Sequence, residues 1–496
     1  MMGFPANPEV PDSLESIAKE MQDKRAFKEM SESKLTAALD GLNLTHFGNG
    51  ERFVAYYKDR IRYLPPFDWW YVWSDEEGRW VRDDCGAVQE MGKGVIRKIY
   101  KEASKTGDED RRKALAKWAI SCETPGSVNQ MLEVARSTPE IVIMPDTLDP
   151  DPFVINLKNG YYSFLDHRMH PHDKKHFFSM MVPVRYDGAA ACPMWKAFLD
   201  RMFQGKPEKD ALMGFLQRAV GYTLTGDTSE RAIFLMHGLG ANGKTVFIRI
   251  LEALFGDYGA AVSSSTFTTA MSTNVRNDLA RLRGKRFVWA SENSSDTILD
   301  EETIKRVSGG DTITCRFLFK EEFQYRPAFK IWWVFNHKPR IRDATDSIWD
   351  RIHLVPCEER IPLEEQDKHL TEKLLVELPG IFNWAIDGYF KYCRDGGLKP
   401  PAAVKEATQD YRRDEDVLSE FLQECFETVL QQNIDGLMAD DRMPFKTLWQ
   451  IWAEWAGSNG EKPRSKTWMG RQLDSRFKKY RTNKEKGYLG IQVKRG

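Results

Sequence analysis

The chain has 496 residues, of which 41% are hydrophobic and 29% are charged, and its formal net charge is −1. This balance is typical of a globular protein with several domains, and it excludes a uniformly basic protein that coats nucleic acid; any contact with nucleic acid has to come from local patches. The seven cysteines form no CxxC pair and no apolar run has the length of a membrane span, which predicts a cytoplasmic protein with reduced thiols, no zinc site and no membrane contact.

The predicted elements change character along the chain. The segment from Phe53 to Trp80 alternates as short strands do, and Ala87 to Ala135 has helical spacing. Asn159-Gly160 predicts a hairpin turn, and Trp195 to Tyr222 is predicted to be helical. The predicted domains are 1–45, polar and partly helical; 46–165, mixed with an aromatic-rich segment; 166–228, a helical collar; 229–360, an α/β core; 361–400, a helical extension; and 401–496, a basic C-terminal domain.

Four tryptophans in the aromatic segment allow two interpretations. Trp69, Trp70, Trp73 and Trp80 lie within twelve residues. Tryptophan at this density is typical of a core, because each ring buries a large area. Exposed rings that stack on nucleic-acid bases are the alternative.

From Arg231 onward, short apolar runs alternate with helical segments and polar loops. The runs are Ala232–Met236, Arg286–Ala290 and Lys330–Phe335. Buried strands between helices predict an α/β core with a parallel sheet.

The strongest motif of the sequence is Gly238–Thr245, which matches GxxxxGK[ST] in full between a predicted strand and a predicted helix. Its glycines let backbone N–H groups surround phosphates at a helix N-terminus. Lys244 can reach the β- and γ-phosphates of ATP, and Thr245 can ligate Mg²⁺. A chance glycine loop is the alternative. The predicted ATP-binding residues are Gly238, Gly240, Asn242, Gly243, Lys244, Thr245 and Val246.

An acidic residue follows the apolar run Arg286–Ala290. Glu292 lies 47 residues after Thr245, and a nucleoside triphosphatase needs a carboxylate here to position Mg²⁺ or the attacking water. The usual pattern has two adjacent acids, but Glu292 is flanked by Ser291 and Asn293. It can therefore hold the metal, orient the water or do both, and a solvated glutamate at a strand end is the remaining interpretation.

Two further polar residues of the predicted core, Asn336 and Arg351, are candidate catalytic residues. Asn336 ends the run Lys330–Phe335, where an amide can hydrogen-bond the γ-phosphate or the attacking water, although asparagine also ends strands without such a role. Arg351 precedes the next apolar run and can act in trans on the ATP of a neighbouring subunit, where it neutralises charge in the transition state. Pairing with Asp350 or Asp346 is the alternative.

These motifs, in this order, resemble superfamily 3 helicases, a branch of the AAA+ ATPases. The likeness is to the phage/plasmid primase-helicase group, which is related to the satellite-phage alpha protein and the poxvirus primase-helicase. It is densest from Gly238 to Arg351, and a looser likeness covers about residues 45–496. Further segments that carry it are Cys192–Trp195, Gly221–Gly226, Gly284–Arg286, Ser308–Asp311 with Cys315-Arg316, and Asn336–Pro339, which resembles the N-x-x-P sensor of the group.

The resemblance implies an AAA+ core, a hexameric ring with ATP between subunits, and a hairpin that projects into the pore. The hairpin strands are expected at Ile313–Phe319 and Phe323–Tyr325. Lys320 at the turn is the best candidate to bind a DNA backbone phosphate, and Lys305 and Arg316 are secondary candidates. An exposed surface turn is the alternative, since two acids follow Lys320.

Two departures from the pattern of the group matter. The single acid leaves the metal-ligand role of Glu292 open. Many relatives carry an N-terminal primase domain, whereas only about 45 residues precede the aromatic segment here. Since no paired acids with a histidine stand out there, we expect no primase activity in this polypeptide.

The end of the chain is basic. Residues 462–496 contain twelve Lys or Arg and two acids. A predicted helix from Met469 to Tyr480 and a strand from Gly487 to Val493 resemble a winged-helix module of the group. A solvated charged face is the alternative. The residues expected to hold duplex phosphates are Arg471, Lys478, Lys479 and Arg481.

The leading hypothesis is an ATP-dependent replicative DNA helicase of a phage, plasmid or similar mobile element, acting in a bacterial host cell. Its expected partners are single-stranded and forked DNA, further copies of the chain, and a separate primase or initiator. Its expected cofactors are ATP and Mg²⁺. The alternatives are a primase-helicase with a priming site, and an ATP-switched DNA-binding or defence assembly that does not unwind.

Overall fold

A computed structural model describes residues 39, 41–269, 276–291, 297–318, 321–341, 346–428, 442–459, 465–474, 476–482 and 485–494. The chain divides into two units. The first contains the described residues up to Asp151, with Asn159–Tyr161 and Met169–Met181. The second contains Pro152–Lys158, Tyr162–Arg168 and the described residues from Val182 onward. Within the described ranges, no helix combines the length and the apolar character needed to cross a membrane.

The first unit packs helices against a small antiparallel sheet. The strands pair in the order β1-β2-β3. The aromatic segment forms short strands from Ile61 onward, as its alternation predicts, but residues 53–57, which were predicted as strand, belong to the helix that ends at Tyr57. Thr45, Asp108 and Thr124 cap three of the helices by accepting backbone N–H groups, which explains where these helices begin. The elements are α1 His46–Tyr57, β1 Ile61–Leu64, β2 Trp69–Ser74, β3 Arg79–Arg82, α2 Ala87–Lys105, α3 Glu109–Ser121 and α4 Pro125–Ala135.

The tryptophans of this sheet lie at two depths. Trp73 and Trp80 are buried, and their rings meet edge to face with centroids 5.6 Å apart. Trp69 and Trp70 are half-buried. Packing in a core therefore explains Trp73 and Trp80, and Trp70 packs against the core that contains Phe53. Base stacking stays a hypothesis for Trp69.

Two glycines let the helices Lys209–Leu224 and Leu378–Asp395 of the second unit approach closely. A Cβ on Gly388 would lie 1.9 Å from the carbonyl oxygen of Gln217, and one on Gly221 would lie 2.2 Å from the backbone nitrogen of Tyr389. The predicted collar and the predicted helical extension therefore pack as one helical pair. The elements between the first unit's helices and the central sheet are β4 Val154–Leu157, β5 Gly160–Ser163, β6 Arg168–His170, α5 Pro193–Met202 and α6 Lys209–Leu224. The turn between β4 and β5 lies at Lys158-Asn159, one residue before the predicted Asn159-Gly160, because Gly160 already belongs to β5.

A parallel five-stranded sheet forms the centre of the second unit. Its order is β13-β7-β12-β9-β8, and every pair in it is parallel. All six residues of β12 are buried, as expected for a strand covered on both faces. The elements are β7 Ile233–His237, α7 Lys244–Phe255, β8 Gly259–Ala261, α8 Asn277–Ala280, β9 Phe287–Ser291, α9 Glu301–Ser308, β10 Ile313–Arg316, β11 Glu322–Tyr325, β12 Lys330–Phe335, α10 Asp346–Trp349, β13 Ile352–Pro356, α11 Leu370–Val376 and α12 Leu378–Asp395.

The expected hairpin is present but shorter than predicted. Pairing runs from Ile313 opposite Tyr325 to Arg316 opposite Glu322, so the first strand ends three residues before the predicted Phe319. Phe317 lies beyond the pairing, and its ring stacks on Phe323 at 5.5 Å.

The next helix, α13 Ala402–Asp414, packs against the central sheet. The predicted boundary at 401 assigns it to the C-terminal domain. Its Tyr411 is fully buried in the core that contains Trp333 and Phe335 of β12. The ring of Trp349 meets Tyr411 edge to face at 5.3 Å.

The last elements have a core of their own around Phe421, Trp452 and Leu473. The predicted helix from Met469 to Tyr480 is wrong in its second half, because α16 ends at Asp474 and residues 479–481 form a strand. There Tyr480 is half-buried between exposed Lys479 and Arg481, a period of two. The elements are α14 Val417–Cys425, β14 Phe426–Thr428, β15 Arg442–Pro444, α15 Phe445–Ser458, α16 Lys466–Asp474, β16 Lys479–Arg481, β17 Lys486–Leu489 and β18 Ile491–Val493, with sheets β15-β17-β16 and β14-β18.

Candidate nucleotide-binding site

The carboxyl ends of neighbouring strands meet at one edge of the parallel sheet. Phe335 of β12 lies opposite His237 of β7, and Val334 lies opposite Ser291 of β9. Ligands of open α/β sheets bind at this edge. Gly238 and Asn336 follow β7 and β12 directly; Glu292, predicted after β9, lies outside the described residues.

The loop between β7 and α7 has a backbone suited to phosphate. Gly240 and Gly243 have φ of 99° and 85°, and Ala241 between them has φ of 50°. Successive N–H groups in such turns form a concave anion site, and the N-terminus of α7 adds its dipole. A Cβ on Gly238 would lie 1.9 Å from the carbonyl oxygen of Cys357, so only glycine fits there. These features fit a bound nucleoside triphosphate.

Lys244 lies within this loop. Its Nζ donates to the carbonyl oxygen of Gly238 at 2.7 Å and to Oδ1 of Asn242 at 2.8 Å. Asn242 Nδ2 in turn donates to the carbonyl oxygen of Cys357 at 2.6 Å. Burial lowers the pKa of Lys244. The Asn242 side chain therefore positions the lysine and ties the loop to the end of β13, a role that the motif alone does not predict.

The loop opens into a cavity of about 810 Å³. Thr245, Val246, Asn336 and Ser291 are among the residues that line it. Thr245 is exposed in the first turn of α7, where its hydroxyl is available to a metal ion. The predicted ATP and Mg²⁺ residues that the structure describes, apart from Gly238, thus line one cavity.

A further wall of the cavity, beside Gly243 and Ala241 of the loop, was not predicted from the sequence. Ala197 and Phe198 of α5 and Ile361 and Leu370 line it with apolar groups. Arg201 of α5 joins the two sides of this wall. Its Nε donates to Glu365 Oε2 at 2.7 Å. No motif marks these residues, because two segments far apart in sequence form the wall.

Arg351 lies away from this cavity. β13 pairs in parallel with β7, with Pro356 opposite His237. Gly238 is therefore level with Cys357, and Arg351 lies six residues earlier along the strand, about 20 Å away at 3.3 Å per residue. Its Nε donates to Ser308 Oγ at 3.2 Å. Burial, followed by the charge of Arg231, lowers its pKa.

The predicted nucleic-acid residues lie on separate elements. Lys305 is on α9 and Arg316 ends β10, and both are half-buried. Lys320 lies outside the described residues, and Arg471 is on α16. Lys478, Lys479 and Arg481 are exposed at β16; Lys479 also forms a 2.6 Å ion pair with Asp474.

Two family models match the chain. "D5 N terminal like" matches residues 50–204. "Family of unknown function (DUF5906)" matches residues 236–351 and so contains the phosphate loop.

Similar proteins come from large DNA viruses. "Putative helicase 121R" of Invertebrate iridescent virus 3 is 26% identical over 345 residues, 62% of this chain and 35% of that protein. "Putative helicase 022R" of Frog virus 3 is 28% identical over 51% of this chain and 27% of that protein. "Putative primase C962R" of an African swine fever virus isolate is 22% identical over 63% of this chain and 34% of that protein. The chain thus spans about a third of the length of these relatives.

A similar solved structure is the NrS-1 C terminal region, with a TM-score of 0.48 and 12% identity over 87% of this chain and 96% of that one. The D5 N terminal like match and the viral helicase and primase relatives fit the phage-type primase-helicase group, which confirms the resemblance that the motifs predict.

Proposed function

We propose that the chain is an ATP-dependent DNA helicase with a superfamily 3 AAA+ core. The observation that carries the proposal is the phosphate loop at the carboxyl end of β7, directly beside Asn336 at the end of β12. In P-loop nucleoside triphosphatases this arrangement holds the phosphates and places a polar group near the γ-phosphate.

Within this proposal, each residue has a chemical task. Lys244 and the loop N–H groups bind phosphate oxygens, and the Phe198 wall holds the base. Asn336 orients the attacking water. Thr245, with Glu292, would hold Mg²⁺, which neutralises phosphate charge when bound.

Arg351 supplies the transition-state charge to a neighbouring subunit. Its distance from the loop of its own chain supports action in trans. This requires a ring or another closed assembly of identical chains, and we propose a hexamer from the resemblance.

Nucleic acid would contact two places. The β10–β11 hairpin, with Lys320, Arg316 and Lys305, would grip single-stranded DNA in the pore. The C-terminal elements, three helices with the sheet β15-β17-β16, support a winged-helix-like domain whose exposed Lys478 and Arg481 bind duplex phosphates. The predicted domain bounds remain part of this proposal.

Strand displacement on a forked DNA substrate tests the proposal. We expect unwinding with ATP and Mg²⁺ and none with a non-hydrolysable ATP analogue. ATP-dependent assembly on DNA without strand displacement would instead support a switched DNA-binding assembly. Primer synthesis in the same reaction would establish the primase-helicase alternative, which the name of the African swine fever virus relative raises.

A further inference from the structure

Three consecutive acids connect α13 to α14, and each has a different partner. Asp414 ends α13, and Asp416 caps α14 by accepting the N–H of Ser419. We call Asp414, Glu415 and Asp416 the acidic joint.

Two members of the joint hold the segment that follows Asn336. Asp414 Oδ2 lies 3.0 Å from Lys338 Nζ. Glu415 Oε2 accepts the backbone N–H of Ile341 at 2.9 Å. These bonds fix the chain two and five residues after Asn336, so they restrict where its amide can lie.

Buried Tyr411, one turn earlier in α13, strengthens the same attachment. Its hydroxyl donates to the carbonyl oxygen of Pro339. Its ring lies under Lys338, with 5.2 Å between Nζ and the ring centroid. The end of α13 and the segment 338–341 are therefore held together at several points.

The third member of the joint faces the basic C-terminal domain. Arg476 NH2 lies 2.7 and 2.9 Å from the two carboxylate oxygens of Asp416, and Arg476 NH1 donates to Ser419 Oγ at 2.8 Å. Arg476 follows α16 and precedes β16. Burial alone would raise the pKa of Asp416, but the bonds from Ser419 and Arg476 bring it below its ordinary value.

We propose that the acidic joint couples DNA contact by the C-terminal domain to the position of Asn336. This rests on the proposed function. When DNA binding moves β16, Arg476 shifts Asp416. Asp414 and Glu415 move with Asp416, and their bonds shift the segment that follows Asn336. Asp414, Glu415 and Asp416 are thus positioning residues that touch no nucleotide.

Asp416→Asn tests the coupling with little risk to the fold, because asparagine is as good a helix N-cap as aspartate while it lacks the charge that pairs with Arg476. The measurement is ATP turnover by the full chain, with and without a duplex DNA oligonucleotide, the form of DNA that we propose the C-terminal domain binds. We expect an unchanged basal rate and unchanged KM, with stimulation by DNA reduced about fivefold or more.

Two further variants make the test specific. Arg476→Gln should reproduce the loss, and the double variant should be no worse than either single one, since both remove one interaction. Asp410→Asn is the matched control, because Asp410 pairs with Arg413 on the same helix; it should keep full stimulation.

The outcomes separate the coupling from the proposed function. If Asp416→Asn keeps full stimulation by DNA, the coupling through the acidic joint is wrong, whereas the helicase proposal is unaffected. A basal rate that falls as much as the stimulated rate also overturns it, since the pair would then act on folding alone. No basal hydrolysis in the unchanged chain removes the proposed function itself.

Discussion

At the scale of single residues, the role of Asn242 follows from its two hydrogen-bond partners rather than from the motif. Its amide joins Lys244 to the carbonyl oxygen of Cys357, and it is 3% exposed. Buried polar groups that lose a partner cost about 1–3 kcal/mol. The position of the lysine thus depends on a side chain that the GxxxxGK[ST] pattern leaves unspecified.

Asn242→Ala should therefore raise the KM for ATP about tenfold and lower Tm, since one buried carbonyl loses its donor and Lys244 one acceptor. Leu239→Ala is the control, because Leu239 belongs to the same loop but is 86% exposed. ATP titrations of both variants decide the matter: equal KM values would show that Asn242 does not position the lysine.

At the scale of elements, the close packing of α6 against α12 depends on glycine at the contact. Gly388 meets the backbone of α6, so a methyl group there has no flexible neighbour to displace. Gly214, on α6, faces only the end of the Arg218 side chain at 3.6 Å. The same substitution is therefore expected to have opposite effects at the two positions.

We expect Gly388→Ala to destabilise the chain by several kcal/mol, about the upper range for overpacking. Gly214→Ala should instead stabilise it by about 0.5–1 kcal/mol, the usual gain from alanine inside a helix. Thermal unfolding of the two variants checks both signs. Similar Tm values for the two would contradict the close approach.

The central strands could be predicted because parallel strands covered on both faces are continuous apolar runs, as Lys330–Phe335 shows. The apolar wall of the cavity could not, because Phe198 and Ile361 are far apart in sequence and line one cavity only through tertiary packing. Local spacing also gave a wrong prediction at Lys479–Arg481, where a helix was predicted and alternating exposed charges form a strand. The attachment of Tyr411 to the sheet leaves no local pattern in the sequence.

At the scale of the whole molecule, the position of Arg351 predicts an assembly. Neither Lys244→Ala nor Arg351→Ala chains should hydrolyse ATP alone. Mixed, they should regain part of the activity, because an intact phosphate loop on one chain can meet an intact Arg351 on its neighbour. Mixtures as inactive as the separate variants would place Arg351 outside the site.

The basic C-terminal domain predicts a salt-dependent affinity for DNA. Reversing Lys478 and Arg481 to glutamate should weaken duplex binding and reduce the slope of log affinity against log salt by about one for each phosphate that the domain no longer neutralises. Fluorescence anisotropy at several salt concentrations measures both. An unchanged slope would identify these residues as a solvated face.

The most direct test of the central claim is ATP hydrolysis by Lys244→Ala beside the unchanged chain. The account predicts turnover by the unchanged chain and a loss of about a hundredfold or more in the variant, because the charge that stabilises the phosphates is gone. Lys405→Ala, an exposed lysine on α13, should hydrolyse ATP normally. Full turnover by Lys244→Ala would contradict the assignment of the phosphate loop and, with it, the motor.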